Sequence, residues 1–268
     1  MAVREDILKN IKRVVIKIGS SVISNRDKGR SPLECGLSRE WVRHYARKIK
    51  AIRDKGYDVV LVSSGAIMAG RERLEFGRAD LTVPEKQACA AIGQSFLMHT
   101  YEKAFEKKGL KVAQILLSHD DLGNRKRYLN AKHTIEALLE KGVIPIINEN
   151  DSVTVEEIKI GDNDSLSATV ACLVDAQLLI ILSDVEGLYD RDPSLKSKTE
   201  KAQLISHVPR VNEDIEKIAG KSNNRLTVGG MLTKVRAAKK TMSFGIPALV
   251  VNGLDEKVVE KIFAAKEV

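Results

Sequence analysis

The chain has 268 residues, of which 43% are hydrophobic and 30% charged, which is the composition of a globular protein with enough apolar side chains for a sizeable core. No apolar run approaches the roughly 18 residues that a membrane span requires, and the N-terminus lacks the apolar stretch of a signal peptide, so we expect no membrane association. A net charge of +8 would suit a nucleic-acid binder, but acidic residues are interspersed among the basic ones and only 4% of residues are aromatic, so we expect no nucleic-acid binding.

The cysteines and histidines point to no metal centre. The three cysteines are odd in number and far apart, which fits neither a disulfide framework nor a zinc site. The five histidines show no spacing typical of metal ligands. We therefore predict a reducing, cytoplasmic location and no metal site built from protein side chains.

In chain order, short apolar runs alternate with segments of helical periodicity. The predicted strands are residues 13–18, 58–63, 112–117, 143–147, 158–160, 178–182, 203–208 and 248–251. The predicted helices are residues 37–55, 84–108, 123–141, 163–174, 212–219, 231–244 and 257–264. This alternation predicts βαβ crossovers and therefore an α/β fold with a mainly parallel central sheet and helices on both of its faces.

Polar side chains cluster after the predicted strand 143–147. The strand runs into the sequence NENDSV, and a second polar group, GDND, begins at residue 161. Ligands of open α/β sheets bind beyond the carboxyl ends of the strands, where these side chains are expected. A single Asn or Asp is more typical of a turn, but this many around one strand end predict a ligand site.

Three loops contain glycine where a strand ends or a helix begins. They are Lys17-Ile18-Gly19-Ser20-Ser21, Ser63-Ser64-Gly65-Ala66 and Val228-Gly229-Gly230-Met231-Leu232-Thr233-Lys234. Neither GxGxxG nor the P-loop motif occurs. Glycine lets backbone N–H groups approach an anion, and a helix N-terminus adds partial positive charge. Each loop alone is equally well explained as a tight turn, but together, with a lysine in two of them, they predict a phosphate-binding site.

The two lysines predict a mechanism. Phosphoryl transfer depends on positioning and on neutralising charge, and Lys17 and Lys234 can reach one nucleotide from opposite sides. Two ammonium groups at such a short distance repel each other unless a carboxylate lies between them. Asp164 is the first candidate for that carboxylate and Asp162 the second, although capping a helix is the other role open to Asp164. The nucleotide base is expected against residues 182–184 and 187–189.

The motifs together resemble a known family. VVIKIGSS, LVSSGAIMAG, KQACAAIGQ, NRKRYLNAKHT, IPIINENDSV, IKIGDNDSLSA, ILSDVEGLYDRDP and GGMLTK resemble the amino acid kinase superfamily and, within it, the glutamate 5-kinases. The resemblance spans roughly residues 12–263. It implies a three-layer αβα sandwich and ATP-dependent phosphorylation of the γ-carboxylate of L-glutamate, with Mg²⁺, as the first step of proline synthesis. It also implies inhibition by proline and a homo-oligomer, either dimer or tetramer.

Matching motif by motif assigns roles to individual residues. An Asp can pair with the ammonium group of the amino acid, and an Asn can donate to its carboxylate. The predicted site comprises catalytic Lys17, Lys234 and Asp164; substrate-binding Ser64, Gly65, Asn148, Asp151 and Asn163; and ATP-binding Lys17, Gly19, Ser20, Ser183, Asp184, Gly229, Gly230, Met231, Thr233 and Lys234.

The chain departs from the family at two places. It has Thr227-Val228-Gly229 where the family reads Gly-Thr-Gly. Many members also carry a C-terminal PUA domain, which this sequence lacks. We therefore expect a single kinase domain over residues 1–268, with an acceptor lobe over about 1–175 and a nucleotide lobe over about 176–268.

Three other functions stay open. A kinase for isopentenyl phosphate, uridylate, carbamate or aspartate would keep both lysines, but a phosphate-bearing acceptor calls for extra basic residues where this chain has Asn and Asp. An amino-acid sensor without catalysis would be expected to lose Lys17 or Lys234. A nucleic-acid binder would show steeply salt-dependent affinity and no ATP turnover.

Overall fold

The computed structural model describes residue 8 and residues 11–25, 35–76, 81–153, 163–191, 193, 202–221 and 230–264. Its strands are β1 (Arg13–Ile18), β2 (Asp58–Ser63), β3 (Val112–Leu117), β4 (Ile144–Glu149), β5 (Leu178–Ser183) and β6 (Ala248–Asn252). Its α-helices are α1 (Arg39–Asp54), α2 (Ala66–Arg73), α3 (Val83–Glu106), α4 (His119–Gly123), α5 (Arg125–Glu140), α6 (Asn163–Leu173), α7 (Glu213–Lys221), α8 (Met231–Met242) and α9 (Val258–Phe263), with a 3-10 turn at Ser20–Val22.

The strands form one sheet in the order β3-β4-β2-β1-β5-β6, and every neighbouring pair is parallel. Parallel neighbours require crossovers, which helices supply. The central strand β1 is buried, as a strand covered on both faces must be. The predicted parallel sheet is therefore confirmed.

Helices cover both faces of the sheet and enclose two cores. Alternate residues of a strand point to opposite faces. Val14, Ile16 and Ile18 of β1 pack in the core that includes side chains of α1, α2, α3 and α9. Val15 packs in the second core, with side chains of α5, α6 and α8. This is the expected three-layer αβα sandwich.

Two glycines bring α2 and α3 into backbone contact. A Cβ atom at Gly93 would lie 1.8 Å from the carbonyl oxygen of Ala66, and one at Gly70 would lie 1.8 Å from that of Cys89. Neither position tolerates a side chain without moving a helix. The N-terminal turn of α2, which follows β2, is thus held directly against the middle of α3.

One predicted strand, 203–208, is wrong. Leu204 makes only an isolated antiparallel bridge with Tyr189. The apolar side chains Ile205 and Val208 pack instead against a small third core whose members include Leu188. The apolar run therefore reflects burial in that cluster rather than a place in the sheet. The predicted strand 158–160 lies outside the described residues.

The predicted helix 123–141 is confirmed as α5, which begins two residues later than predicted, at Arg125. Asn124 is extended, and its side chain accepts hydrogen bonds from the N–H groups of Lys126 and Arg127, so a new helix begins there. The short α4 precedes it, opened by a capping box of Ser118 and Asp121. No helix in the described part of the chain is long and apolar enough to cross a membrane.

Candidate active site

The candidate site lies at the carboxyl edge of the sheet, between β1 and β5. From β1 the chain adds β2, β3 and β4 on one side of this strand, and it then adds β5 and β6 on the other side. The direction in which strands are added therefore reverses between β1 and β5. Such a switch point is the usual ligand site of an open α/β sheet. The N–H of Gly19 donates to the carbonyl oxygen of Leu182 at 3.2 Å, which ties the two strand ends together.

A carboxylate lies between two ammonium groups at this edge. Asp164 Oδ1 is 2.7 Å from Lys17 Nζ, and Asp164 Oδ2 is 3.2 Å from Lys234 Nζ. The hydroxyl of Thr233 donates to the same Oδ2 at 2.6 Å. The side chains are only 8% (Lys17), 1% (Asp164) and 6% (Lys234) exposed. Side chains from β1, α6 and α8 therefore meet in one buried ionic cluster, which we call the lysine cluster (Lys17, Asp164, Thr233 and Lys234).

Charge within the lysine cluster perturbs its own pKa values. Burial raises the pKa of Asp164, but the charges of Lys17 and Lys234 and the hydrogen bonds to the carboxylate outweigh it and hold that pKa well below its usual range. Burial lowers the pKa of Lys234, and the charge of Lys17 adds to this, while Asp164 opposes it. Two ammonium groups and one carboxylate leave a net positive charge that an anionic ligand would compensate.

Two of the three glycine loops border the lysine cluster. The carbonyl oxygen of Gly230, the residue before α8, accepts from Thr233 Oγ1 at 2.8 Å and from Lys234 Nζ at 3.4 Å. Met231 begins α8, and Ser20 begins the 3-10 turn after Gly19. A Cβ atom at Gly19 would lie 3.2 Å from the carbonyl oxygen of Leu182 and 3.7 Å from Lys17 Nζ. Glycine there keeps the approach to the lysine open.

The predicted substrate-binding residues come from the ends of β2 and β4 and the start of α6. Ser64 follows β2, and Gly65, the N-cap residue before α2, has φ +110°, which favours glycine. Asn148, Asp151 and Asn163 are all buried. We call these five residues the acceptor pocket.

Asn163 joins the acceptor pocket to the lysine cluster. It immediately precedes Asp164 at the start of α6. Its buried amide oxygen has no hydrogen-bond partner among the described residues. A buried polar atom left unsatisfied costs about 1–3 kcal/mol, and a donor on a ligand could satisfy this one.

The predicted nucleotide contacts of β5 lie on the other side of the lysine cluster. Ser183 is the last residue of the strand and is buried, and its hydroxyl donates to Asp184 Oδ1 at 3.2 Å. Asp184 is exposed, and its charge acts to raise the pKa of Lys234. The predicted Gly229 and Asp162 lie outside the described residues.

Sequence reasoning missed two buried polar residues. Gln94 of α3 is 8% exposed, and its Oε1 accepts from Asn148 Nδ2 at 2.8 Å. Glu149, the last residue of β4, is also buried. Gln94 is part of the motif KQACAAIGQ. A glutamine next to a glycine within a helix was the feature of the sequence that could have indicated a buried polar role. No three His, Cys, Asp or Glu side chains in the described ranges are grouped so that they could hold a metal ion.

Comparisons with known proteins give concordant results. Residues 12–252 match the amino acid kinase family. The chain is 48% identical over 265 residues to the glutamate 5-kinase of Geobacter metallireducens, covering 99% of this chain and 68% of that protein. It is 46% identical over 266 residues to the glutamate 5-kinase of Clostridium tetani, covering 99% of this chain and 96% of that protein.

Solved structures with the same fold are more distant in sequence. The carbamate kinase from Giardia lamblia bound to AMP-PNP superposes with a TM-score of 0.63 at 16% identity, over 94% of this chain and 96% of that one. An isopentenyl phosphate kinase superposes with a TM-score of 0.63 at 16% identity, over 96% of this chain and 98% of that one. At this identity the likeness shows the fold alone.

Proposed function

This chain belongs to the amino acid kinase family, and from that premise we infer that it catalyses the glutamate 5-kinase reaction, the ATP-dependent phosphorylation of the γ-carboxylate of L-glutamate that begins proline biosynthesis. Relatives carrying that name are 46–48% identical over nearly the whole chain. The observation on which we rest this is the buried lysine cluster at the carboxyl edge of the sheet, together with Asn163, which immediately precedes Asp164.

At the phosphate end, the proposed roles follow from charge. Lys17 and Lys234 contact phosphate oxygens of ATP and neutralise the charge that develops as the γ-phosphoryl group moves. Asp164 lies between the two ammonium groups and fixes their positions. The N–H groups at the N-terminus of α8, after Gly230, and the N–H of Ser20 complete the phosphate site.

At the acceptor end, no general base is required. The γ-carboxylate of glutamate is already ionised at neutral pH, so its oxygen attacks the γ-phosphorus while the bond to ADP breaks, and no proton moves. We propose that Asp151 pairs with the substrate ammonium group, that the unsatisfied amide oxygen of Asn163 accepts from the same group, and that the amide nitrogen of Asn148 donates to a carboxylate. Ser64 and Gly65, at the N-terminus of α2, then lie on the side of the γ-carboxylate.

The residues present fit a magnesium ion that arrives with ATP. Mg²⁺ keeps several waters and is usually held by substrate phosphates and one or two carboxylates. The described residues offer no larger group of metal ligands, but Asp184 is an exposed carboxylate whose charge is felt by Lys234. Asp184 is our candidate for holding the ion, which would neutralise phosphate charge.

We propose four further features. They are inhibition by proline, assembly into a dimer or tetramer, a cytoplasmic location, and the division of one kinase domain into an acceptor lobe over about residues 1–175 and a nucleotide lobe over about 176–268. Proline carries the same ammonium and α-carboxylate chemistry as glutamate, which supports competition for the acceptor pocket.

The proposed substrate is tested by measuring ADP release with a panel of acceptors. Glutamate, aspartate, carbamate, uridylate and isopentenyl phosphate would be compared with a reaction lacking acceptor. We expect ADP release that depends on glutamate. Faster release with a phosphate-bearing acceptor would reassign the chain within the family.

Replacing Asp151 by Asn is expected to raise the KM for glutamate about 10- to 150-fold, since a charge-assisted hydrogen bond is worth roughly 1.5–3 kcal/mol. The KM for ATP should stay near the parent value, because Asp151 belongs to the acceptor pocket. Asp120→Asn removes the same charge from an exposed residue of α4 and serves as the control. Weakened ATP binding with an unchanged KM for glutamate would show that these residues bind ATP and not glutamate.

A further inference from the structure

Gln94 belongs to a buried amide pair that spans two layers of the fold. Its Oε1 accepts from Asn148 Nδ2 at 2.8 Å, and Asn148 Oδ1 in turn accepts from the backbone N–H of Glu149 at 2.9 Å. These two bonds occupy both amide oxygens and orient both side chains. Nε2 of Gln94, which carries two N–H groups, is buried and has no hydrogen-bond partner within the described ranges.

The position of Gln94 is rigid. It follows Gly93, whose missing side chain lets α3 contact the backbone of α2 at Ala66. Gln94 is therefore held between the N-terminal turn of α2 and the end of β4. The unsatisfied N–H groups lie at the acceptor pocket because Asn148, to which Gln94 is bonded, is one of its members.

These donors need a hydrogen-bond acceptor, and a carboxylate oxygen is a strong one. A neutral amide with two free N–H groups binds an anionic oxygen well, and the penalty of leaving them unpaired is removed when the ligand arrives. The acceptor pocket also contains Asp151, which suits an ammonium group. An amino acid carries both groups, so Gln94 supplies a contact that Asp151 cannot make.

The register of the sheet distinguishes the two carboxylates of glutamate. Lys17 of β1 is level with Val62 of β2, and Val62 is level with Ile147 of β4. Asn148 thus lies two strands from Lys17, or about 10 Å at the usual strand spacing. Side chains of β4 alternate between the two faces of the sheet. Ile146 packs in the core that includes α3, and Ile147 packs in the core that includes α6 and α8. Asn148 is two residues from Ile146 and therefore shares its face, the side of α3. Gln94 is therefore at the end of the pocket remote from the lysine cluster.

We propose that Gln94 is a substrate-binding residue that donates through Nε2 to the α-carboxylate of the amino-acid acceptor while its Oε1 holds Asn148. This rests on the proposed function, in which the γ-carboxylate faces the phosphates and the α-carboxylate points away from them. Gln94 then selects acceptors that carry a carboxylate beside the ammonium group.

The test compares two substitutions at this position. Gln94→Glu keeps the shape and the oxygen that accepts from Asn148 but replaces the N–H donors by an acceptor. We expect it to raise the KM for glutamate about 10-fold or more, with kcat changed less than about threefold and the KM for ATP unchanged. At a fixed glutamate concentration, it should also reduce the rise in Tm that glutamate gives the parent. Ser95→Glu puts the same charge on the neighbouring exposed position and should have neither effect.

If Gln94 only held Asn148, Gln94→Glu would leave glutamate binding unchanged, because it retains an oxygen that accepts from Asn148 Nδ2. A parent-like KM for glutamate in this variant would overturn the proposal. If Gln94→Glu does not fold, Gln94→Met is measured instead. It should weaken the binding of glutamate but not the binding of 4-aminobutyrate, which lacks the α-carboxylate. Binding of 4-aminobutyrate is measured as its competition with glutamate. Equal weakening of both would overturn the proposal. Failure of the proposed function is seen separately, as a parent enzyme without glutamate-dependent ADP release.

Discussion

Replacing Asp164 by Asn is expected to remove most of the turnover, by about 10²–10³ in kcat, the range seen when one electrostatic contact to the transition state is lost. Asparagine has nearly the same shape, so the change isolates the negative charge that lies within 3.2 Å of both ammonium groups. Without it, Lys17 and Lys234 repel each other and leave the positions in which they meet the phosphates. Steady-state kcat for ADP release measures the effect, and a fully active variant would show that the lysines need no carboxylate.

The same substitution should also lower stability. If Asp164 only capped a helix, replacing it by Asn, another capping residue, would change the free energy of unfolding little. Its side chain is, however, only 1% exposed and belongs to a buried ionic cluster. Breaking a buried ionic group costs about 3–5 kcal/mol, which lowers the Tm by roughly 6–20 °C for a chain of this size. Adding Lys234→Met to Asp164→Asn removes one of the repelling charges, so the double variant should melt higher than Asp164→Asn alone and remain inactive. A double variant that melts lower would contradict repulsion as the cause.

Lys17→Ala and Lys234→Ala are each expected to lower kcat about 10²–10³, with a much smaller effect on the KM for glutamate. Their charge is needed mainly as charge develops on the transferred group, so the loss appears in the chemical step rather than in acceptor binding. Because both lysines act through one cluster, combining the two substitutions should cost less than the product of the single effects. Lys240→Ala, at an exposed position of α8, is the matched control. Near-parent kcat in both folded single variants would refute the two-lysine mechanism.

Strand periodicity predicts that Lys17 shares a face of the sheet with Val15, and the packing of Val15 identifies that face. Val15 packs in the core that includes α6 and α8. Asp164 and Lys234 are on those two helices. The sequence thus brought the right residue types to one sheet edge. Which carboxylate lies between the lysines depends on how the helices pack, which periodicity does not report.

Two features could not be read from local pattern. The apolar run 203–208 has the composition of a strand, but its partner is a small core beside the sheet, and composition does not identify a partner. Gln94 stands in a long helix that carries buried side chains along most of its length. Its role becomes visible only when α3 meets the end of β4, a contact between segments 54 residues apart.

The most direct test of the whole account follows the oxygen atoms of the acceptor. Glutamate labelled with ¹⁸O in its γ-carboxylate would be incubated with the enzyme, ATP, Mg²⁺ and hydroxylamine. If the γ-carboxylate attacks the γ-phosphorus, one labelled oxygen bridges carbon and phosphorus. Hydroxylamine attack on that carbon then yields the γ-glutamyl hydroxamate and inorganic phosphate carrying one ¹⁸O per ADP formed. ADP formation accompanied by unlabelled phosphate and no hydroxamate would mean that the phosphoryl group goes to water, and would contradict the assignment of glutamate as the acceptor.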